Sequence, residues 1–160
     1  EGIALDLVDD ELWRNIIDVN LSSLFYFGKR VALRMKEGGR GSIINIGSIN
    51  STVISNIAPR HNVSYCVAKA GVAQLSRGMA AEWASWNVRV NTLAPGYILT
   101  DQTAASAANP DIYERNVRNT PMGRYGKIDE LKGSIVYLAS DASSFLTGAL
   151  LTIDGGYTIW

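Results

Sequence analysis

Tyr65 and Lys69 are the two side chains whose types and spacing most directly suggest chemistry. They lie four residues apart at the start of a predicted helix, so their side chains stack on one face. At about 4 Å and an effective dielectric constant near 20, an ammonium group attracts a phenolate by roughly 4 kcal/mol. Because ~1.4 kcal/mol corresponds to one pKa unit, we expect the pKa of Tyr65 to fall from about 10 towards about 7, where a general acid or base works best. The same spacing also occurs where a lysine simply packs beside a tyrosine on a helix surface.

Ser48 and Asn20 are candidates to act together with Tyr65. Ser48 stands where a predicted strand meets its loop, so its hydroxyl is able to hold a substrate oxygen while Tyr65 exchanges the proton. A serine in a turn also bonds its own backbone, which is the alternative. Asn20 lies within a predicted helix, where an amide side chain has no propensity reason to occur. Between Val19 and Leu21 it is expected to face inward and to need partners, although a solvated asparagine is the alternative.

The elements that must position these residues follow from hydrophobic periodicity and from helix-stop residues. Three acidic residues, Asp9-Asp10-Glu11, suit a helix start, and apolar residues at helical spacing continue that helix until Gly38-Gly39. The predicted elements are a helix over 12–36, a strand over 42–47, a helix over 64–86, a strand over 88–93, helices near 111–119 and 128–140, and a strand over 150–153.

Strands that alternate with long helices predict the α/β class, with a doubly wound, Rossmann-like parallel sheet covered on both faces. Ligands of such sheets bind beyond the carboxyl ends of the strands, here Gly47-Ser48, Pro95-Gly96 and Asp154-Gly155-Gly156. No repeat or linker divides the chain, so residues 1–160 are expected to form a single domain. About three strands are few for so many helices, and the chain therefore looks like the C-terminal part of a larger fold.

Composition excludes several classes of function. Fifteen basic and fifteen acidic residues give no net charge, which offers no overall electrostatic footprint for nucleic acid or an anionic membrane. The single cysteine, Cys66, excludes an internal disulfide, and with the single histidine, His61, it argues against a metal site or a Ser-His-Asp triad. The apolar runs are too short to span a bilayer and no export signal opens the chain, so we expect a cytoplasmic protein.

Six motifs in this chain resemble those of the short-chain dehydrogenase/reductase family. In order they are Asp18-Val19-Asn20-Leu21, Gly41-Ser42-Ile43-Ile44-Asn45-Ile46-Gly47-Ser48, Tyr65-Cys66-Val67-Ala68-Lys69-Ala70-Gly71, the run from Val88 to Thr100, Pro121-Met122-Gly123-Arg124 and Asp154-Gly155-Gly156. Each motif alone is common, whereas all six in this order are specific. The chain is therefore identified as a member of this family, covering its C-terminal, catalytic part.

The resemblance implies a catalytic tetrad of Asn20, Ser48, Tyr65 and Lys69. Tyr65 would act as the acid or base on the substrate oxygen, and Ser48 would orient the carbonyl or alcohol. Lys69 would lower the pKa of Tyr65 and bind the nicotinamide ribose. Asn20 would hold a water that relays protons to Lys69.

The resemblance also implies a cofactor, NAD or NADP, held by Tyr65 and Lys69 and by a loop after the second strand. Four residues of that loop match the family pattern, namely Pro95, Gly96, Ile98 and Thr100. Thr100 also suits the N-cap of a following helix, and the two roles are compatible.

One departure from the family pattern concerns the catalytic serine. Ser48 precedes Tyr65 by seventeen residues, which is longer than usual, and Ser51 and Thr52 lie closer to the usual spacing. We favour Ser48 because it follows the strand directly; the extra residues then fall in the loop over 53–63, where insertions cost little. A longer loop at this point is typical of the sugar and polyol dehydrogenase branch.

The function expected from the resemblance is hydride transfer between NAD(P) and a small alcohol or ketone, with a polyol or sugar as the expected substrate, by a homodimer or homotetramer. A 3-oxoacyl thioester (acyl-carrier-protein) reductase is the alternative within enzymes. A non-catalytic binding or structural protein with the same fold is the alternative from another class. An intact set of Asn20, Ser48, Tyr65 and Lys69 argues against the latter.

A second departure is that the family's glycine-rich turn for the pyrophosphate is not among residues 1–160. The residue that separates NAD from NADP is not among them either. We therefore expect an isolated 160-residue chain to bind NAD(P) weakly, to be catalytically silent and to associate through its exposed strand edge.

Overall fold

The computed structural model describes residues 5–55 and 61–160 of the chain. Its helices and strands, in chain order, are α1 (Asp10–Ile17), α2 (Ser23–Glu37), β1 (Gly41–Ile46), α3 (Val63–Trp83), β2 (Val88–Pro95), β3 (Ile98–Leu99), α4 (Ala104–Ala108), α5 (Pro110–Arg118), β4 (Gly126–Lys127), α6 (Lys132–Ala139) and β5 (Leu150–Ile153). Part of the predicted loop over 53–63, with Asn56 and Pro59, lies outside the described residues.

The central sheet has three strands in the order β1-β2-β5, and both pairs are parallel. Ile46 pairs with Leu93, and Ala94 pairs with Thr152, so the carboxyl ends of the three strands lie side by side. The predicted α/β class and the parallel sheet are confirmed. This shared edge is where the polar residues that follow β1 and β2 meet.

Helices cover both faces of the sheet. On one face, Val88 and Val90 of β2 are buried in a cluster with Met79 and Ala80 of α3. The partly buried residues packed against that cluster are Met35, Ile43, Leu75, Trp83 and Trp86. Because side chains alternate along a strand, Arg89 points to the opposite face, where its guanidinium donates to the Leu138 carbonyl of α6 at 3.0 Å. The sheet is therefore doubly wound, as predicted.

The first predicted helix is present but is not uniform. It begins where expected, since Asp9 is the N-cap and its carboxylate accepts from the Leu12 amide at 2.7 Å. A five-residue π-helical turn, Asp18–Ser22, then separates α1 from α2. Turns of this type are rare and occur frequently at functional sites. Hydrophobic periodicity does not reveal such a turn, because it shifts the register of the helix by only a fraction of a turn.

The predicted helix over 64–86 is α3 followed by a short 3-10 turn, Ala84–Trp86. The helix predicted over 128–140 likewise begins with a 3-10 turn, Ile128–Leu131, before α6. The strand predicted over 150–153 has the bounds of β5. The other predicted elements agree with the structure to within two residues.

Three of these elements, β3, β4 and α4, were not predicted. A second, two-stranded parallel sheet joins β3 to β4 through Ile98 with Gly126 and Leu99 with Lys127. The short helix α4 precedes α5, which Asn109 caps through its side-chain oxygen. Strands of two residues are too short to show a periodicity, so only tertiary pairing defines them.

Among residues 5–55 and 61–160, no helix is both long and apolar enough to cross a membrane.

Candidate active site

Gly47 brings the end of β1 close to β2. Its amide donates to the Leu93 carbonyl at 2.7 Å, and an added Cβ would lie 2.7 Å from Cγ2 of Thr92. A side chain at this position would push the two strand ends apart, so glycine is required by close approach. The chain leaving β1 therefore stays against the sheet and presents Ser48 at its carboxyl end.

Ser48 begins a 3-10 turn, Ile49–Ser51, as its N-cap. Its Oγ accepts a hydrogen bond from the Asn50 amide at 3.2 Å and is also hydrogen-bonded to the phenol of Tyr65. The Ser48 hydroxyl therefore bonds the backbone of its own turn and also faces Tyr65, while its role towards a substrate oxygen stays a prediction. The hydroxyl lies at the edge of the sheet where ligands bind in this fold.

The other two candidates for the catalytic serine have their hydroxyls engaged elsewhere. Ser51 donates to the Lys69 carbonyl at 2.8 Å and accepts from the Ser48 amide at 3.3 Å. Thr52 donates to the Ile49 carbonyl at 3.2 Å. Only Ser48 of these three contacts the Tyr65 hydroxyl, so the geometry favours it as the residue beside the reacting oxygen.

Tyr65 and Lys69 share one face of the first turns of α3, as their spacing predicts. The amide of Tyr65 donates to Asn62, the helix N-cap, at 3.3 Å. The Lys69 ammonium lies 5.4 Å from the centroid of the Tyr65 ring and donates to the Ile46 carbonyl at 3.0 Å. Lys69 thus ties the start of α3 to the end of β1.

The predicted fall in the pKa of Tyr65 is wrong for this arrangement. Burial raises the pKa of the Tyr65 phenol above its usual value, and this effect exceeds the lowering by the Ser48 hydrogen bond. The Lys69 ammonium lies over the ring and points to the Ile46 carbonyl rather than to the phenol oxygen, and burial lowers the pKa of Lys69. The predicted fall counted the attraction of the Lys69 ammonium and left out the burial of the phenol, which is the largest cause of the shift.

Asn20 lies in the π-helical turn Asp18–Ser22, which packs against α3. It is half-buried, and its Nδ2 donates to the Ile16 carbonyl at 3.0 Å. Its neighbour Val19 is 72% exposed. Because Asn20 is only half-buried and one of its two apolar neighbours faces solvent, the expected inward orientation of Asn20 holds in part. No hydrogen bond within the described part of the chain joins Asn20 directly to Lys69, and a water that connects the two stays a prediction.

The predicted cofactor loop leaves β2 beside β5. Gly96 donates its amide to the Ile153 carbonyl at 2.9 Å, and a Cβ there would lie 2.7 Å from the backbone of Asp154. Ile98 is buried in β3. The loop therefore stays on the same edge of the sheet as Ser48.

Thr100 is not the N-cap of the next helix. The N-cap of α4 is Thr103, whose hydroxyl donates to the Ile98 carbonyl at 2.6 Å. Thr100 instead accepts from the Thr103 amide at 3.3 Å within the connecting turn. The tight turn before α4 places Thr103 at the helix start, which the sequence did not reveal.

A cluster of tyrosines beside the cofactor loop was missed by the sequence analysis. Tyr97 lies 5.5 Å from Tyr125 and 5.4 Å from Tyr157 between ring centroids, and Tyr113 stacks on Tyr125 at 5.0 Å. The Tyr97 hydroxyl is hydrogen-bonded to those of Ser55 and Tyr157. Burial is the main cause that raises the pKa of Tyr97, so it remains a neutral phenol. The only signal in the sequence was an aromatic residue directly after Pro95-Gly96.

The chain belongs to the short-chain dehydrogenase/reductase family. The family model that matches residues 2–158 is described as enoyl-(acyl carrier protein) reductase. The fold and the polar cluster at the strand ends agree with this membership.

Relatives of known activity include polyol dehydrogenases. The chain is 41% identical over 152 residues to the L-tagatose-forming galactitol 2-dehydrogenase of Cereibacter sphaeroides, a match that covers 95% of this chain and 59% of that protein. It is 42% identical over 149 residues to the ribulose-forming D-arabinitol 2-dehydrogenase of Candida tropicalis, covering 91% and 52%.

A solved structure with the same fold is a gluconate 5-dehydrogenase from Burkholderia cenocepacia J2315 in complex with NADP and tartrate. The TM-score is 0.93 at 36% identity, and the match covers 100% of this chain and 61% of that one. The chain thus spans between about half and three-fifths of the length of these relatives.

Proposed function

We propose that the full-length protein is an NAD(P)-dependent oxidoreductase that interconverts a secondary alcohol and a ketone. The observation that carries the proposal is the cluster of Ser48, Tyr65 and Lys69, with the Ser48 hydroxyl on the Tyr65 phenol and the Lys69 ammonium over the Tyr65 ring. A phenol with a hydrogen-bonded hydroxyl and a nearby cation is suited to exchange one proton with a substrate oxygen.

The chain contains groups that fit the nicotinamide end of the cofactor. Lys69 has three N–H donors and spends one on the Ile46 carbonyl, which leaves donors for the hydroxyls of a ribose. The close approach of Gly96 to Asp154 holds the loop over Pro95–Thr100 at the strand ends, where Ile98 and Thr100 would contact the ring and its amide. A bound nicotinamide supplies the acceptor or donor of the hydride.

The protein's own residues then handle the proton and the substrate oxygen. In the oxidation direction, Ser48 would hold the substrate hydroxyl and Tyr65 would accept its proton. The raised pKa of Tyr65 keeps it a neutral phenol in this arrangement, so the positive charges of Lys69 and of an oxidised nicotinamide would be needed to favour the phenolate. Asn20 would hold the water through which Lys69 exchanges protons with solvent.

We assign polyols or sugars as the substrate class. The proposal is supported by the seventeen-residue spacing of Ser48 and Tyr65 and by the activities named for the galactitol, arabinitol and gluconate dehydrogenases. A spectrophotometric assay at the reduced-nicotinamide band would test it, with NAD and NADP each offered with a panel of polyols. Polyol-dependent reduction of the cofactor supports the proposal. A cofactor that is not reduced with any alcohol of the panel contradicts it.

A 3-oxoacyl thioester reductase is the second candidate. The description of the matching family model names an acyl-carrier-protein thioester as substrate, which supports the thioester class, but a reduction of a carbon–carbon double bond and not of a ketone. Oxidation of NADH or NADPH by acetoacetyl thioesters, without activity on polyols, would establish it instead. Cofactor binding without turnover on either panel would indicate a non-catalytic protein.

Ser48→Ala and Ser51→Ala form a matched pair that tests which serine acts on the substrate. Because Ser48 alone contacts Tyr65, we expect Ser48→Ala to lower kcat about 10²-fold, and Ser51→Ala to lower it far less. Steady-state kinetics of both variants under saturating cofactor measure the difference. A larger loss of kcat in Ser51→Ala than in Ser48→Ala would show that Ser51, and not Ser48, acts on the substrate.

The protein is proposed to be a homodimer or homotetramer, and its α2–α3 face supports this. Apolar side chains form a groove of about 410 Å³ there, including Phe25, Leu33, Leu75, Trp83 and Trp86. An open apolar groove of this kind is typical of an interface, and two copies would cover it by a two-fold axis. The strand over 150–153 and the residues after it are a second expected contact, as a tetramer requires. Of the two aromatic residues there, Trp160 is 76% exposed and can take part, whereas Tyr157 is buried.

Phe25→Glu is expected to dissociate the contact through α2 and α3, because it places a carboxylate in the apolar groove. Sedimentation velocity of the full-length protein at micromolar concentration measures the change in mass. Ile128→Glu, at an exposed apolar residue outside the groove, serves as the control and should not alter the mass. A wild-type protein that sediments as a monomer would contradict the proposed assembly.

The cytoplasm is the compartment we propose for this protein. The single cysteine, Cys66, is a buried free thiol, which suits a reducing environment.

A further inference from the structure

The side chain of Asn50 is held by two donors from a single residue. Its Oδ1 accepts from the Ser55 amide at 3.2 Å and, in a short contact, from the Ser55 hydroxyl. A backbone amide can only donate, so the atom of Asn50 that faces Ser55 is the oxygen, and the two donors occupy both of its lone pairs. The Asn50 side chain is therefore fixed in one orientation.

The backbone of the same residue holds the proposed catalytic serine. The Asn50 amide donates to Ser48 Oγ at 3.2 Å, within the 3-10 turn that Ser48 caps. This hydrogen bond occupies one lone pair of the Ser48 hydroxyl and leaves its proton for another acceptor. The orientation of the Ser48 hydroxyl thus depends on where the Asn50 backbone lies, and the Asn50 side chain fixes that backbone to Ser55.

Ser55 is in turn tied to the start of α3 by His61. The Ser55 carbonyl oxygen lies 3.2 Å from Nδ1 of His61. Because a carbonyl oxygen only accepts, Nδ1 carries a proton and donates it. His61 directly precedes Asn62, the N-cap of α3, whose side chain accepts from the Tyr65 amide at 3.3 Å. Ser55 therefore connects the turn of Ser48 to the helix that carries Tyr65.

The Asn50–Ser55–His61 bridge divides the long segment between Ser48 and Tyr65 into short spans. Seventeen positions separate the two residues, whereas the bridging hydrogen bonds join residues only five and six positions apart. Ordering such a segment costs conformational entropy for each residue, and the hydrogen bonds across it offset part of that cost. Ser55 is only 3% exposed, so water does not easily replace its partners.

We propose that Asn50 is a positioning residue for Ser48, and that the Asn50–Ser55–His61 bridge fixes the Ser48 turn relative to the start of α3. The assignment rests on the proposed dehydrogenase function. The turn has a second attachment to α3, since the Ser51 hydroxyl donates to the Lys69 carbonyl at 2.8 Å. Loss of the Asn50 side-chain hydrogen bonds is therefore expected to loosen the turn without unfolding the chain.

Asn50→Leu and Asn50→Asp in the full-length protein form a matched pair that tests the proposal. Leucine has nearly the same size but accepts no hydrogen bond, whereas aspartate keeps an oxygen that accepts from both Ser55 donors. We expect Asn50→Leu to lower kcat for polyol oxidation about tenfold, the effect of one hydrogen bond, with the KM for NAD(P) unchanged. Asn50→Asp should retain most of the wild-type kcat. Equal losses of kcat in the two variants would overturn the proposal, and so would wild-type kcat in Asn50→Leu.

A second arm tests whether Asn50 acts through Ser48. In a Ser48→Ala background no hydroxyl is left to orient, so adding Asn50→Leu should lower kcat by less than about twofold, because the effects of coupled residues do not add. A full tenfold further loss would contradict the proposal, since Asn50 would then act by another route.

His61→Asn and His61→Phe test the other end of the bridge. Asparagine places an amide N–H near the position of Nδ1, whereas phenylalanine keeps a ring without a donor. We expect His61→Phe to lower kcat and His61→Asn to retain most of it. In an Asn50→Leu background, His61→Phe should lower kcat further by less than about twofold, because both substitutions open the same bridge. Losses that multiply in the double variant would refute a common route.

Crystal structures of the wild-type and Asn50→Leu proteins give a readout that does not depend on turnover. We expect the hydrogen bond from the amide of residue 50 to Ser48 Oγ to be lost or lengthened in the variant. The same bond at 3.2 Å in both proteins would overturn the assignment. A wild-type protein without dehydrogenase activity would instead refute the proposed function, and the two structures would then decide the positioning role alone.

Discussion

Tyr65→Phe is expected to lower kcat for polyol oxidation at least 10²-fold, the usual effect of losing general acid–base catalysis. The substitution removes the hydroxyl that contacts Ser48 and leaves the ring under the Lys69 ammonium. Packing of α3 is therefore retained, and the loss falls on the proton-transfer step. Steady-state kinetics of the full-length protein, with NAD or NADP at a saturating concentration, measure the loss of kcat.

Tyr137→Phe is the control for the Tyr65 prediction, because Tyr137 is exposed on α6 and lies outside the candidate site. Its kcat should equal that of the wild type. A substrate deuterated at the reacting carbon establishes that chemistry limits the rate, since an isotope effect on kcat appears only then. Wild-type kcat in Tyr65→Phe, under conditions that show the isotope effect, would refute the assignment of Tyr65 as acid or base.

Asn91→Leu is expected to lower the free energy of unfolding by about 3 kcal/mol, the largest effect on stability that we predict. Asn91 is fully buried in β2. Its Nδ2 donates to the Leu146 carbonyl at 2.9 Å, and its Oδ1 accepts from the Ala149 amide at 3.0 Å. Leucine would leave the Ala149 amide without its partner and the Leu146 carbonyl with only the 3.4 Å hydrogen bond from Arg89, at a cost of roughly 1–3 kcal/mol for each lost hydrogen bond.

Thermal unfolding measures the effect of Asn91→Leu, and we expect Tm to fall by roughly 6–12 °C. The same substitution at Asn15, which is exposed on α1, is the control and should change stability by less than about 0.5 kcal/mol. A melting temperature for Asn91→Leu equal to that of the Asn15→Leu control would show that the two hydrogen bonds do not hold the segment before β5.

The class of fold and the residues of the candidate site were predictable without a structure. Long amphipathic helices and short β-branched strands differ in period, and this difference is local, so it is visible without a structure. The spacing of Tyr65 and Lys69 likewise depends only on helix geometry, which is why their shared face was predictable. Ser48 was predictable because it directly follows a strand in a fold that binds ligands at strand ends.

The interactions between these residues could be described only from the tertiary structure. Burial of the Tyr65 phenol reversed the predicted direction of its pKa, because the environment of a side chain depends on residues far along the chain. The π-helical turn at Asn20 and the pairing of β3 with β4 also carry no periodicity of their own.

The hydrogen bond from Lys69 to the Ile46 carbonyl joins α3 to the end of β1, which lie 23 residues apart in sequence. Contacts between segments distant in sequence depend on how the sheet aligns its strand ends. Only the folded chain brings them together.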